Sequence, residues 1–141
     1  MVDRFKTLPM ILFDTHVLYW WLGDPLRLSA TARDWTEQPA LNPKTILIST
    51  VTLWELEYKR RAGKITFATS LREAWPTLKL LPGVEWISPA AEDWLKAAEL
   101  GWNHRDPADR LIAALALNRG VPVLTKDGKF HGPDSPVKAV W

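Results

Sequence analysis

The sequence predicts an α/β fold in which helices cover both faces of a mostly parallel sheet. Three observations lead there. Apolar runs of strand length alternate along the chain with segments of helical period. Runs such as MILF are continuous, as in strands buried on both faces. Acidic residues follow some of them, at the sheet edge where open α/β sheets place their ligand sites. With 141 residues, 47% of them hydrophobic, the chain suits one domain over residues 1–141.

Pro9 to Phe13 reads as a central strand, with Asp14 at its carboxyl end. Thr15 opens a helix to Trp21 or Leu22, and Gly23-Asp24-Pro25 breaks it. Ser29 caps a second helix from Ala30 to about Gln38, and Pro39 to Pro43 is a loop. Ile46 to Ser49 is the second strand. Thr50 caps the helix that follows, which reaches Ala62 and stops at Gly63. Ser70 caps a helix to about Leu78, where Pro76 implies a kink or an early end. Val84 to Ile87 is the third strand, and Ser88 caps a helix from Pro89 to Leu100, stopped by Gly101.

The stretch from His104 to Asp127 carries most of the chemistry. Asp106 before Pro107 is a helix start, since aspartate favours the cap and proline the first helical position. Asp109 lies in the first turn. Leu111, Ile112, Leu115 and Ala116 recur at helical spacing, and Asn118-Arg119-Gly120 ends the helix. Val121 to Leu124 is a buried strand, with Asp127 just beyond it, and Val137 to Trp141 is an edge strand.

Charge alone selects no function: the formal net charge is +2 and the isoelectric point about 9.0, compatible with a polyanionic partner without demanding one. The absence of cysteine excludes disulfides, thiol nucleophiles and cysteine-bound metals. Asp14 and His16 interrupt the apolar stretches, and no signal peptide is visible, so a soluble, cytoplasmic protein without membrane spans is expected. Nine tryptophans are many for this length; most fall in core patterns, and those on the rim would suit a protein interface.

Parallel strands bring Asp14 and Asp127 to one edge, with Glu55 and Asp109 in early turns of helices that begin near it. Aspartates at caps and first turns also complement the helix dipole, each by about 0.3 to 1 kcal/mol, so position alone leaves a structural account open. Four like charges in one cleft raise one another's pKa unless cations intervene. Without cysteine or paired histidines, carboxylates favour magnesium or manganese over zinc. Such ions hold phosphodiesters and activate water, which points to phosphodiester hydrolysis.

Taken in order, ILFDTH at 11–16, LSATAR at 28–33, ISTVTLWE at 48–55, HRDPADRLIAALAL at 104–117 and VLTKD at 123–127 resemble the PIN-domain ribonucleases of the VapC type. The resemblance spans nearly the whole chain. It implies a three-layer α/β/α sandwich with strand order 3-2-1-4-5, and metal-binding, catalytic acids at Asp14, Glu55, Asp109 and Asp127. Asp106 would be a cap or auxiliary ligand, and Thr15 and Thr125 would support the site. It further implies a Mg2+- or Mn2+-dependent endoribonuclease, a homodimer, and a VapB-like antitoxin whose tail blocks the site. Relatives often carry phenylalanine where Ala108 stands, a departure that touches packing rather than the acids.

On this reading Trp20, Trp21, Trp54 and Tyr58 are candidates for the antitoxin groove, and Arg105, Arg110, Lys126 and Lys129 for binding the RNA backbone. Single-stranded loops are the expected substrates, since their bases can splay and stack. The basic run Lys59, Arg60, Arg61 and Lys64 suits a helix carboxyl end, or a patch contacting phosphates or an acidic partner segment. Other classes fit less well. His16 stands where a dehalogenase-type phosphatase needs an acid, the serine-hydrolase G-x-S-x-G elbow is missing, and His16, His104 and His131 lack metal-ligand spacing. A housekeeping RNA-processing nuclease and a non-cleaving RNA- or protein-binding module of the same fold are the remaining alternatives.

Overall fold

The computed structural model describes residues 9–37 and 43–141. The expected loop from Pro39 and the end of the second helix at Gln38 lie outside the described residues, apart from Pro43.

Five strands, β1 (Met10–Phe13), β2 (Thr45–Ser49), β3 (Val84–Ile87), β4 (Val123–Leu124) and β5 (Ala139–Val140), form one sheet in the order β3-β2-β1-β4-β5. Every neighbouring pair is parallel. The helices are α1 (Thr15–Gly23), α2 (Ala30–Thr36), α3 (Val51–Arg61), α4 (Leu71–Leu78), α5 (Ala91–Glu99), α6 (Pro107–Arg119) and the single turn α7 (Gly128–His131).

The strand period of two explains the three layers. On β1 and β2, Leu12 and Leu47 face a cluster with Ala97, Leu111, Leu115 and Phe130, from α5, α6 and α7. Their neighbours Ile11, Phe13, Ile46 and Ile48 face the opposite cluster, with Val17, Leu18, Ala32, Leu56 and Leu71 from α1 to α4. Buried alanines at 113, 114 and 116 let α6 pack closely within the first layer.

Several boundaries differ from the sequence expectation, each for a local reason. The fourth strand begins at Val123 because the Val121 N–H closes the end of α6 on the Ala116 carbonyl, and Pro122 has no N–H to give. The last strand is Ala139–Val140, since the Ser135 hydroxyl engages both backbone groups of Val137. Ala90, not Ser88, precedes α5, and the Asp93 carboxylate reaches back to its N–H at 2.8 Å. Thr50 makes no side-chain cap; the Ser49 hydroxyl accepts the Val51 N–H instead. α4 passes through Pro76 to Leu78. The short 3-10 turn Pro25–Arg27 and helix α7 had no counterpart in the expectation.

Candidate active site

Parallel pairing of β1 with β4 sets the frame. The Asp14 N–H donates to the Leu124 carbonyl at 3.0 Å, so the two strands end side by side. Asp14 is also the cap of α1: its Oδ1 accepts the Thr15 N–H at 2.8 Å. Its Oδ2 accepts the Thr125 hydroxyl at 2.7 Å. That hydroxyl in turn accepts the Asp127 N–H at 3.0 Å, and Asp127 caps α7 through Oδ1 and the Lys129 N–H. One buried threonine therefore fixes both strand-end acids.

Glu55 joins from α3. Its Oε1 accepts the Thr15 hydroxyl at 2.5 Å, and Lys59 Nζ, one turn on, lies 3.6 Å from Oε2. Asp109 joins from the first turn of α6, its N–H bound by Asp106 Oδ1 at 3.0 Å. Asp106 itself is exposed and acts as the cap of α6. Asp109 Oδ2 lies 2.6 Å from Nε2 of the buried His104.

The electrostatics follow from burial and crowding. Asp14, 3% exposed, has its carboxyl pushed up to about 6, chiefly by burial and further by Asp127, against the opposing hydrogen bonds from Thr125 and Thr15. Burial also raises Glu55, partly offset by the Thr15 hydroxyl. Asp109 is pushed up to about 8 by burial, with Asp14, Asp106, Glu55 and Asp127 all adding to the shift. His16 moves the other way, down to about 4, mainly through burial. Its Nε2 accepts the Lys126 N–H at 3.1 Å, which leaves a neutral ring with Nδ1 3.3 Å from Asp14 Oδ2.

This donor set fits a hard divalent cation. Carboxylates from four separate segments act on one another's charge, and an ion among them would offset both the burial and the repulsion that keep Asp14 and Asp109 from ionising readily. Ligand atoms of His104, Asp109 and Asp127 lie within 4.8 Å of one another. They open onto a cleft of about 910 Å3 whose lining also includes Trp102, Arg105, Lys129 and Asp134.

Residues 11–134 match the PIN domain family model. The chain belongs to the PIN-domain family. Ribonuclease VapC22 of Mycobacterium tuberculosis is 31% identical to it over 140 residues, covering 93% of this chain and 98% of that protein. The fold of this PIN domain is similar to chains in two crystal structures. One is VapBC2 from Rickettsia felis bound to a DNA fragment from their promoter (TM-score 0.63, 21% identity, 92% of this chain and 98% of that chain). The other is FitAcB from Neisseria gonorrhoeae (TM-score 0.63, 20% identity, 94% and 97%).

Within this PIN domain the remaining candidates separate. Arg105 and Lys129 line the cleft and are exposed, and Lys126, also exposed, reaches over the Trp20 ring. Arg110 is not available to a phosphate in the same way. Its guanidinium donates to the carbonyls of Ala97, Leu100, Trp102 and His104 at 2.7 to 2.9 Å, so its role is to bind the α5–α6 loop to α6. In the basic run, Lys59, Arg60 and Arg61 are likewise paired along α3, and Lys64 lies beyond its end. Arg60 and Arg61 both grip Glu57, which also accepts the Leu71 N–H and so fastens α4 to α3.

The four aromatic candidates fall in two places. Trp20 lies on the rim near Asp14, between His16, Trp141 and the cation of Arg27, and Trp21 packs edge-on against Phe13. Trp54 and Tyr58 stack on each other on the outer face of α3, 61% and 62% exposed. Sequence reasoning took His104 for a packed or surface histidine that could touch RNA near the cleft, and passed over Asp134. The signal for His104 was its place two residues before the Asp106 cap; Asp134, in the loop after α7, offered none.

Proposed function

We propose that this PIN domain is a metal-dependent endoribonuclease and the toxin of a VapBC-type pair. The observation that carries the reading is the grouping of acids at one sheet edge: Thr125 ties Asp14 to Asp127, Thr15 binds Glu55, and Asp109 and Asp127 offer ligand atoms, with His104, within 4.8 Å of one another. Its likeness to a protein named a ribonuclease supports the choice of RNA as substrate.

Magnesium or manganese, when bound, would supply Lewis acidity and a water of lowered pKa for hydrolysis of the phosphodiester. Asp14, Glu55, Asp109 and Asp127 would hold the ion. Thr125 keeps Asp14 and Asp127 at a fixed separation, and Thr15 aims Glu55 inward. Arg105, Lys126 and Lys129 hold the RNA backbone across the cleft, with phosphate contacts setting position rather than sequence.

A VapB-like antitoxin is the expected partner, in keeping with the VapBC complexes among the structural neighbours. Its docking face includes Trp54 and Tyr58, and an antitoxin cation entering the cleft would offset the acids as a metal does. The protein works as a homodimer in the cytoplasm; no helix of the described residues is long and apolar enough to cross a membrane.

The test is cleavage of a structured RNA pool by purified protein with magnesium or manganese, with chelator, and with Asp14→Asn. Cutting that requires both metal and Asp14 is the expected result. Metal-independent cutting, or full activity in the variant, overturns the reading.

A further inference from the structure

We propose that His104 is itself a metal ligand, its Nε2 joining the carboxylates of Asp109 and Asp127 in a mixed donor set that takes manganese(II) in preference to magnesium. The inference rests on the metal-dependent reading above and specifies the centre of that same site.

The ring is held for the task. His104 is 8% exposed and stands edge-on to Trp102, with centroids 4.8 Å apart, and to Phe130 at 6.5 Å. Its carbonyl accepts Arg110 Nη1 at 2.9 Å, which anchors the backbone beneath it. Packing on the ring and a charged donor on the carbonyl together fix where Nε2 points, and it points at Asp109 Oδ2, 2.6 Å away. Metal bonds of about 2.1 Å in an octahedral shell place adjacent donors about 3.0 Å apart and opposite donors about 4.2 Å apart. The three residues already offer ligand atoms within 4.8 Å of one another, so a small opening of the His104–Asp109 contact admits an ion.

The other two histidines have different partners, His16 through Nδ1 facing Asp14 Oδ2 at 3.3 Å on the β1 side. His16 Nε2 takes the Lys126 N–H, and His131 Nε2 lies 2.7 Å from the Thr125 carbonyl. His104 alone turns a ring nitrogen toward the carboxylates of α6 and α7. Magnesium favours oxygen ligands and retains its waters, whereas imidazole nitrogen suits first-row transition ions, so a mixed set shifts preference toward manganese. The competing account is that His104 only donates a hydrogen bond that orients Asp109.

Pulsed electron paramagnetic resonance separates the two without relying on turnover. Wild-type protein, antitoxin-free, is loaded with manganese(II), once at natural abundance and once with 15N-histidine. Directly bound imidazole gives a nitrogen coupling that changes with the isotope, persists in His16→Gln and disappears in His104→Gln. Competition binding is expected to show manganese held at least about tenfold tighter than magnesium, and that margin is expected to fall roughly tenfold in His104→Gln. Manganese that binds without a histidine coupling overturns the ligand assignment and leaves the nuclease reading standing. A coupling that survives in His104→Gln also overturns it. No manganese binding at any concentration overturns both readings, and the isotope experiment needs no variant to fold.

Discussion

The Thr125 hydroxyl donates to Asp14 Oδ2 at 2.7 Å, joining the end of β4 to the end of β1 through a side chain with no solvent exposure. It also accepts the Asp127 N–H, so removing it releases two acids together. Thr125→Val keeps the shape and deletes the hydroxyl. Leaving a buried carboxyl short of a donor costs about 1 to 3 kcal/mol, which urea unfolding of the metal-free protein should register. Metal affinity should fall roughly 10- to 100-fold, as expected when a supporting hydrogen bond to a ligand is lost. Unchanged affinity in a stable variant would mean that the strand ends alone position Asp14 and Asp127.

Metal-free stability should decline with rising pH between about 6.5 and 8.5. Asp109 titrates near 8 in the fold, against 3.8 when unrestrained. The native state therefore holds a proton that the unfolded chain has already lost, and its contribution, complete below about 3.8, disappears as pH rises through 8. Asp14 acts in the same sense near 6. His16 opposes both: depressed to about 4 from 6.5, it adds stability as pH rises through that interval and none above it. Above 6.5 His16 no longer opposes the decline, which there reports the raised carboxyls, with Asp109 near 8 the one that carries it furthest. Thermal unfolding in chelator should show the decline, Asp109→Asn should flatten it, and excess manganese should reverse it by favouring the ionised carboxylates. A flat wild-type profile above 6.5 contradicts the assigned shift.

Arg110 should behave as a structural residue. Its fork meets four carbonyls that a lysine ammonium, a single point with three donors, cannot satisfy in the same geometry. Arg110→Lys should lower unfolding stability by about 2 kcal/mol, since hydrogen bonds to charged groups contribute roughly 1.5 to 3 kcal/mol each and some are retained. RNA binding by an inactive Asp14→Asn background should change little when Arg110→Lys is added, but weaken on Lys126→Ala. Equal losses from both would restore Arg110 to the RNA surface.

The strands, helices and parallel sheet were legible in the sequence as short-range patterns, continuous apolar runs and caps, whereas the strand order came only from the family resemblance, whose motifs also carry Asp14, Glu55, Asp109 and Asp127 in order. What escaped it depends on contacts across the fold. Arg110 is one helical position from Asp109 and looks like a phosphate ligand until the loop carbonyls of α5 curl around it. His104 could be a packed or a surface residue until Trp102 and Phe130 close on its ring. Thr50 resembles a cap, but Ser49, one residue earlier, takes the Val51 N–H. In each case one nearby side chain or carbonyl decided between roles that the sequence left equivalent.

Trp54 and Tyr58 give the last prediction. They stack at 5.7 Å on the outer face of α3, and Trp54 also walls an apolar hollow of about 450 Å3 with Val51, Pro89, Trp94, Pro107 and Ala108. Most of their surface is exposed, so folding gains little from them, and replacing either with alanine should leave unfolding stability within about 0.5 kcal/mol. Large exposed aromatics beside an apolar hollow are instead the anchors on which interfaces concentrate their energy. Trp54→Ala should weaken binding of the proposed antitoxin about thirtyfold or more, a loss of 2 kcal/mol or greater at 1.4 kcal/mol per tenfold. Tyr58→Ala should cost less, because it lies outside the hollow's lining. Metal-dependent cleavage by the free protein should be untouched in both, since neither side chain reaches the acids. Titration calorimetry against the cognate antitoxin checks the first expectation, and unaltered affinity in both variants would place the antitoxin on another face.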